Sequence, residues 1–190
     1  MSCYATKMNF IHIPKNAGTS VLRWIGETYL KFHDYKSCHY SASKMAELHP
    51  DAKMSFAIVR NPWDRMVSMY RYAIERSDLT NQRYNKKITN KEPTFEEFVK
   101  EFRSYESIYW YDPSTPQSAW LDARVDYILR YERLDSDFKI IQDLVGNHEP
   151  LGRYNTTHRV HYTHYYNDQL INMVGDYFSE DVDRFEYDYR

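Results

Sequence analysis

Short apolar runs alternate with polar turns and amphipathic stretches along this chain, and the pattern predicts its elements before any chemistry is considered. Residues 8–13 (MNFIHI) are an apolar run that reads as a buried strand and breaks at Pro14. After a polar turn, Val21, Leu22, Ile25, Tyr29 and Leu30 recur at helical spacing. A second run, Phe56-Ala57-Ile58-Val59, again enters a polar turn and a helix. There Asn61 suits the N-cap, Pro62 the first helical position, and Asp64 the acid of a capping box. Between the two runs, the second half of the segment 36–48 reads as a short helix capped by Ser41 or Ser43.

The remaining elements follow in the same way. Thr94-Phe95-Glu96-Glu97 is a capping box, and Phe95, Phe98, Val99 and Phe102 form the buried stripe of its helix. Residues 105–116 are aromatic, polar and proline-bounded, hence a loop, and residues 116–121 look like a short helix. Residues 125–131 read as a strand. The helix after it is capped near Asp135 or Ser136, packs Phe138, Ile141 and Val145, and stops at Gly146. Residues 151–166 show no clear period. A last helix, from about residue 168 to 178 by its apolar spacing, turns Leu170, Ile171, Val174 and Phe178 inward, and the acid-rich tail from Asp176 reads as a solvated cap.

Strand, turn, helix points backbone N–H groups and the positive end of a helix at one spot, where anions bind. In the first turn Lys15 supplies a mobile charge, Gly18 lets the backbone approach an anion, and Thr19 and Ser20 supply hydroxyls. The stretch does not match the nucleotide loop G-x-x-x-x-G-K-[ST]: Lys15 precedes Gly18, and there is no leading Gly. In the second turn Arg60 leaves the strand end and Ser68 lies about one helical turn beyond Asp64, so both suit a single anion. Strand–helix units with two such turns imply an α/β domain of three layers, α/β/α, around a mainly parallel sheet, with ligands outside the carboxyl ends of the strands.

The pair HIPKNAGTS and RNPWDRMVSMY resembles the paired signature of sulfotransferases that use 3′-phosphoadenosine-5′-phosphosulfate (PAPS), in particular the carbohydrate sulfotransferases. The resemblance implies a P-loop-like sulfotransferase fold and PAPS as donor, with no metal. It places the 5′-phosphosulfate on Lys15, Asn16, Ala17, Gly18, Thr19 and Ser20, and the 3′-phosphate on Arg60 and Ser68. Relatives carry a histidine ahead of the second motif that takes the acceptor's hydroxyl proton, a role that falls on His39, with His33 in reserve. They carry a glutamine beside the acceptor, corresponding to Gln117. A loop closing over the nucleotide corresponds to residues 151–166, where Arg153 or Arg159 would touch a phosphate. Lys15 and His39 are thus the expected catalytic pair. Two rival readings stay open: a nucleotide kinase or NTPase with a deviant phosphate loop, and a non-catalytic module that binds PAPS or a sulfated glycan.

Composition adds bounds. The 190 residues suit a single sulfotransferase domain spanning 1–190. A net charge of -2 and pI near 6.4 argue against general nucleic-acid binding. No apolar run approaches the ~20 residues that span a bilayer. The start of the chain lacks a secretion-type apolar region, and Cys3 and Cys38 make no disulfide framework, so a cytoplasmic location is expected. The acceptor is expected to be a carbohydrate or other hydroxyl compound, and the oligomeric state is open. Arg76, Arg83, Lys86, Lys87 and Lys91 against Asp78 make residues 76–91 either a solvated loop or a basic lid. With 19 tyrosines the chain is rich in rings, which serve either as core and boundary residues or as a sugar-binding surface. His12 is read as structural or as lying beside the bound sulfate. His158, His161 and His164 lack a completing carboxylate or Cys and do not make a metal set.

Overall fold

The computed structural model describes residues 8–26, 39–75, 93–102, 115–154 and 159–190. Cys3, Tyr29, Leu30, His33, Cys38, the basic segment 76–91, most of the loop 105–116 and His158 lie outside the described residues. The chain falls into two compact units, one from Met1–Arg60 and Gln117–Thr156, the other from Asn61–Pro116 and Thr157–Arg190.

The first unit is α/β. Strands β1 (Met8–Ile11), β2 (Met54–Val59) and β3 (Tyr127–Arg130) form a parallel sheet in the order β1-β2-β3. Parallel strands covered on both faces need continuous apolar sequence, and all four β1 residues are buried. The register sets Phe10 beside Phe56, and Ile58 beside Leu129. On that face Met8, Phe10, Phe56, Ile58 and Leu129 pack with Val21 and Leu22 of α1 (Gly18–Ile25) and with Phe138 and Ile141 of α6 (Leu134–Val145). The opposite parity of β1 carries Asn9, whose Nδ2 donates to the Met45 carbonyl of α2 (Ala42–Leu48) at 3.4 Å. Helices thus flank the parallel sheet, as the sequence pattern implies.

Boundaries shift where side chains outside the periodic pattern intervene. Strand β3 starts later than residue 125 because the Asp126 carboxylate accepts the Ser55 N–H and hydroxyl, at 2.8 and 2.9 Å. Neither Asp135 nor Ser136 caps α6. A 3-10 turn, Tyr131–Arg133, runs directly into it, and the Ser136 hydroxyl donates instead to the Arg133 carbonyl at 2.8 Å. The helix stops where expected, at Gly146, whose φ of 67° closes the C-terminus. Ser41 rather than Ser43 is the N-cap of α2, its side chain accepting from the Lys44 N–H.

The second unit is helical among the described residues: α3 (Pro62–Glu75), α4 (Phe95–Glu101), a 3-10 turn (Tyr162–Tyr165), α7 (Asp168–Tyr177) and α8 (Ser179–Phe185). The Thr94–Glu97 capping box forms, and the expected Phe95, Phe98, Val99 and Phe102 stripe is buried. Tyr70 and Tyr165 pack edge to face against Phe95, and the Tyr70 hydroxyl donates to the Pro93 carbonyl at 3.1 Å. The tail is not a solvated cap. Asp181, Phe185 and Tyr187 are buried, and the Tyr189 carbonyl accepts from the Tyr162 hydroxyl at 2.7 Å. Acid content misled the reading because Asp181 and Phe185, one helical turn apart, lie on the inward face of α8, while Glu180, Asp183 and Arg184 face water.

No described helix is long and apolar enough to cross a membrane. Phe138 is the element that ties α6 to the sheet, edge-on to Trp24 at 4.8 Å and to Phe56 at 6.3 Å. Phe138→Ala should therefore destabilise the protein by about 3–5 kcal/mol in denaturant unfolding. A loss under about 1 kcal/mol would mean that α6 does not depend on this contact.

Candidate active site

The first predicted turn is built from backbone that ordinary residues avoid. Lys15 and Ala17 both take left-handed conformations, with φ of 70° and 61°. Each costs on the order of 1–2 kcal/mol at a residue bearing a Cβ. The turn delivers the chain into α1 with Ala17 as N-cap and no side-chain cap. The Ala17 carbonyl accepts from the Ser20 and Val21 N–H groups at 2.9 and 3.2 Å, so the amides of Gly18 and Thr19 precede the first ladder bonds. An uncapped helix start reached through left-handed residues is a geometry suited to anions.

Asn16, between the two left-handed residues, is buried. Its Nδ2 donates inward, to the Ile58 carbonyl at 2.7 Å and to Gln117 Oε1 at 2.6 Å. Gly18 has a reason other than the approach of an anion. A Cβ there would lie 1.7 Å from Nε2 of His12, so the imidazole occupies the space that a side chain would need. Ser20 is buried, and its hydroxyl accepts from the Tyr154 N–H at 3.2 Å, while Arg23 lies over the Tyr154 ring at 4.1 Å. Thr19 remains half-buried at the helix start.

His39 comes to the same place. Its Nδ1 lies 2.8 Å from the His12 carbonyl oxygen, and the two imidazole rings are 4.2 Å apart. A carbonyl can only accept, so Nδ1 carries the hydrogen and Nε2 the lone pair of the neutral ring. Burial lowers the His39 pKa from its usual 6.5, partly opposed by the bond to the His12 carbonyl. His12 is held well below that value, by burial first and then by His39 beside it, and its Nδ1 is sealed from solvent with no partner among the described residues. Trp120 stands edge-on to His39, with ring centroids 6.1 Å apart. Two residues on, Asp122 receives the Ser43 N–H at 2.8 Å and the Ser43 hydroxyl at 2.5 Å, fixing the start of α2 just after His39.

Arg60 is buried and held on three sides. Its Nη1 donates to the Lys15 carbonyl at 2.9 Å, and its guanidinium lies over the Tyr131 ring at 3.9 Å. The second contact follows from the parallel register: Val59 pairs with Arg130, so the next residues, Arg60 and Tyr131, leave the sheet side by side. Gln117 contacts the Arg60 backbone on the third side and is fully buried. It does not lie open to an acceptor as the resemblance implies, because both ends of its amide are engaged inside the protein.

Ser68 and Arg159 belong to the helical unit. Ser68 is buried on α3. Asn61 caps that helix as expected, its Oδ1 accepting from the Trp63 and Asp64 N–H groups at 3.0 and 3.3 Å. Asp64 pairs with Arg159 through Oδ1 and Nη2, both side chains being largely buried. Arg159, expected at a phosphate, is thereby engaged with a carboxylate. Arg153 pairs with Asp135 at 2.5 Å on the surface. Among the described residues no group of His, Cys, Asp or Glu side chains converges as a metal site. The sequence carried no signal for Tyr131, Trp120 or Asp122 as parts of this site.

The two histidines make stability depend on pH with a definite sign. Their folded pKa values lie below the unfolded value of 6.5, so on acidification through that range the unfolded chain takes up protons that the folded one refuses. Stability should be full above about pH 7 and fall as pH drops below about 6.5. His12→Gln should reduce the slope of unfolding free energy against pH in that window by about one proton. An unchanged slope in denaturant titrations would show that His12 is not held neutral.

The Sulfotransferase family profile matches residues 3–188. Among solved structures, the sulfotransferase from Alicyclobacillus acidocaldarius is similar at 18% identity, over 83% of this chain and 61% of that one, with a TM-score of 0.47. The chain therefore spans only that 61% of the solved protein it matches. A search of curated proteins finds no match. The match over almost the whole length, together with the two strand-end turns, establishes that this chain belongs to the sulfotransferase family.

Proposed function

We propose that the chain transfers a sulfuryl group from PAPS to a hydroxyl acceptor, a carbohydrate or small alcohol. The observation that carries the reading is the histidine at the anion turn: His39 is bonded through Nδ1 to the carbonyl of His12, whose ring rests on Gly18 at the start of α1. A base with its lone pair on Nε2 thus stands in the same cluster as an uncapped helix N-terminus. The left-handed turn and the two amides ahead of the first ladder bonds fit a phosphate-type group, and Arg60, fixed by the Lys15 carbonyl and Tyr131, fits a second one.

In this mechanism His39 Nε2 takes the proton of the acceptor hydroxyl as its oxygen bonds to sulfur. The bond from sulfur to the 5′-phosphate oxygen breaks, and adenosine 3′,5′-bisphosphate leaves with the electron pair. Lys15 and the amides of the turn stabilise the charge that grows on that oxygen, which no longer shares its electrons with sulfur. The lowered pKa of His39 keeps it unprotonated, and therefore able to act, at neutral pH.

Ligand-dependent melting separates this reading from its rivals. PAPS and adenosine 3′,5′-bisphosphate should raise the melting temperature more than magnesium–ATP, and Arg60→Ala should weaken bisphosphate binding by about tenfold or more. Equal or larger shifts with magnesium–ATP would favour a nucleotide kinase or NTPase. With an acceptor found by screening labelled PAPS against glycans and alcohols, His39→Ala should leave bisphosphate affinity intact while turnover drops by about 10² to 10⁴. The wild-type acidic limb should lie below about pH 6.5 and vanish in that variant. A variant that keeps both rate and limb would assign the base to another group, and donor binding without any transfer would favour a binding module.

A further inference from the structure

Gln117, the first residue of the short helix α5 (Gln117–Trp120), sits where the two signature turns can be tied together. Its Oε1 accepts from Asn16 Nδ2 at 2.6 Å and from the Arg60 N–H at 2.9 Å, and its Nε2 donates to the Arg60 carbonyl at 2.8 Å. One side-chain amide thus pairs with both peptide groups of Arg60, as a residue on a neighbouring strand would, just past the last ladder pair of β2. Its third bond reaches the residue between left-handed Lys15 and Ala17. Arg60 completes the ring by donating from Nη1 to the Lys15 carbonyl at 2.9 Å.

These bonds lie in the interior, where an unmade hydrogen bond is costly and a made one is rigid. The chemistry also selects the residue. Glutamate would lose the donation to the Arg60 carbonyl and bring negative charge beside an anion turn. Asparagine is one methylene too short to span Asn16 and the Arg60 backbone together. Leucine or methionine would leave Asn16 Nδ2 and the Arg60 N–H without this acceptor.

We infer that Gln117 is a positioning residue that fixes the spacing between the Lys15 turn and Arg60, so that the protein prefers a nucleotide bearing two phosphates over one bearing a single phosphate. This rests on the reading of the Lys15 turn and Arg60 as the two phosphate subsites of the donor. Gln117 itself touches neither phosphate. It acts through Asn16 and through the backbone of Arg60.

Isothermal titration of the full chain with adenosine 3′,5′-bisphosphate and with adenosine 5′-monophosphate tests it. Gln117→Met should weaken the bisphosphate by about tenfold or more and the monophosphate by less than about threefold, because only the bisphosphate depends on the spacing. Gln117→Asn, one methylene too short to span both partners, should give the same selective loss and carries the test if Gln117→Met does not fold. Equal losses for both ligands, or no loss for either, would overturn the proposal, since general loosening of the fold does not discriminate between them. If the wild-type chain binds the bisphosphate no better than the monophosphate, the reading of Arg60 as a phosphate subsite fails, and the proposal with it.

Discussion

Two left-handed residues in one turn, Lys15 and Ala17, can persist only if the surroundings hold them there, and much of the sheet unit's polar interior does so. Asn16 is drawn down to the Ile58 carbonyl and Gln117, the Lys15 carbonyl is taken by Arg60, and His12 fills the space above Gly18. Each bond is modest by itself, about 1 kcal/mol net for a neutral pair. Together they are commensurate with the strain. The strained turn and the residues that hold it therefore form one device, spread over the ends of β1 and β2 and the start of α5.

The histidine pair shows the same economy in a different interaction. Desolvation, the largest cause of both pKa shifts, keeps the two rings neutral. A neutral His39 with its hydrogen on Nδ1 is the form that general-base chemistry requires. The carbonyl that fixes this tautomer belongs to His12, the residue whose ring also dictates a glycine at position 18. Strand end, glycine and the orientation of His39 are thus specified together.

In the helical unit, charge is buried as pairs and hydrogen-bonded groups. Asp64 and Arg159 neutralise each other, and Arg65, wholly buried, donates from Nη1 to the Thr115 carbonyl at 3.3 Å. A buried pair adds little net stability, yet removing either partner leaves an uncompensated charge, so such groups fix the local arrangement rather than strengthen it. Tyrosines do related work here. The Tyr166 hydroxyl donates to the Trp63 carbonyl at 2.8 Å, and burial, with Tyr189 and Asp64 nearby, raises its pKa well above the usual 10. That accounts for several of the many tyrosines as core and boundary residues.

Local rules alone determined the three strands, the N-caps of α3 and α4, the stop at Gly146 and the two turns with their Lys15 and Arg60. All are written in short-range periodicity or in a cap within four residues of its target. What the sequence left undecided was the partner of each polar group, because partners lie across the fold. Asp64 fits a capping box by spacing and pairs with Arg159, 95 residues away. Gln117 fits an acceptor contact by resemblance and lies inside, 57 residues from Arg60 and 101 from Asn16. His12 read as structural or as lying beside a bound sulfate, and the fold set its ring over Gly18. Tertiary structure decided these assignments because a buried donor or acceptor takes whichever partner the packing brings within reach, and that information lies in the register of the sheet rather than in any one stretch of chain.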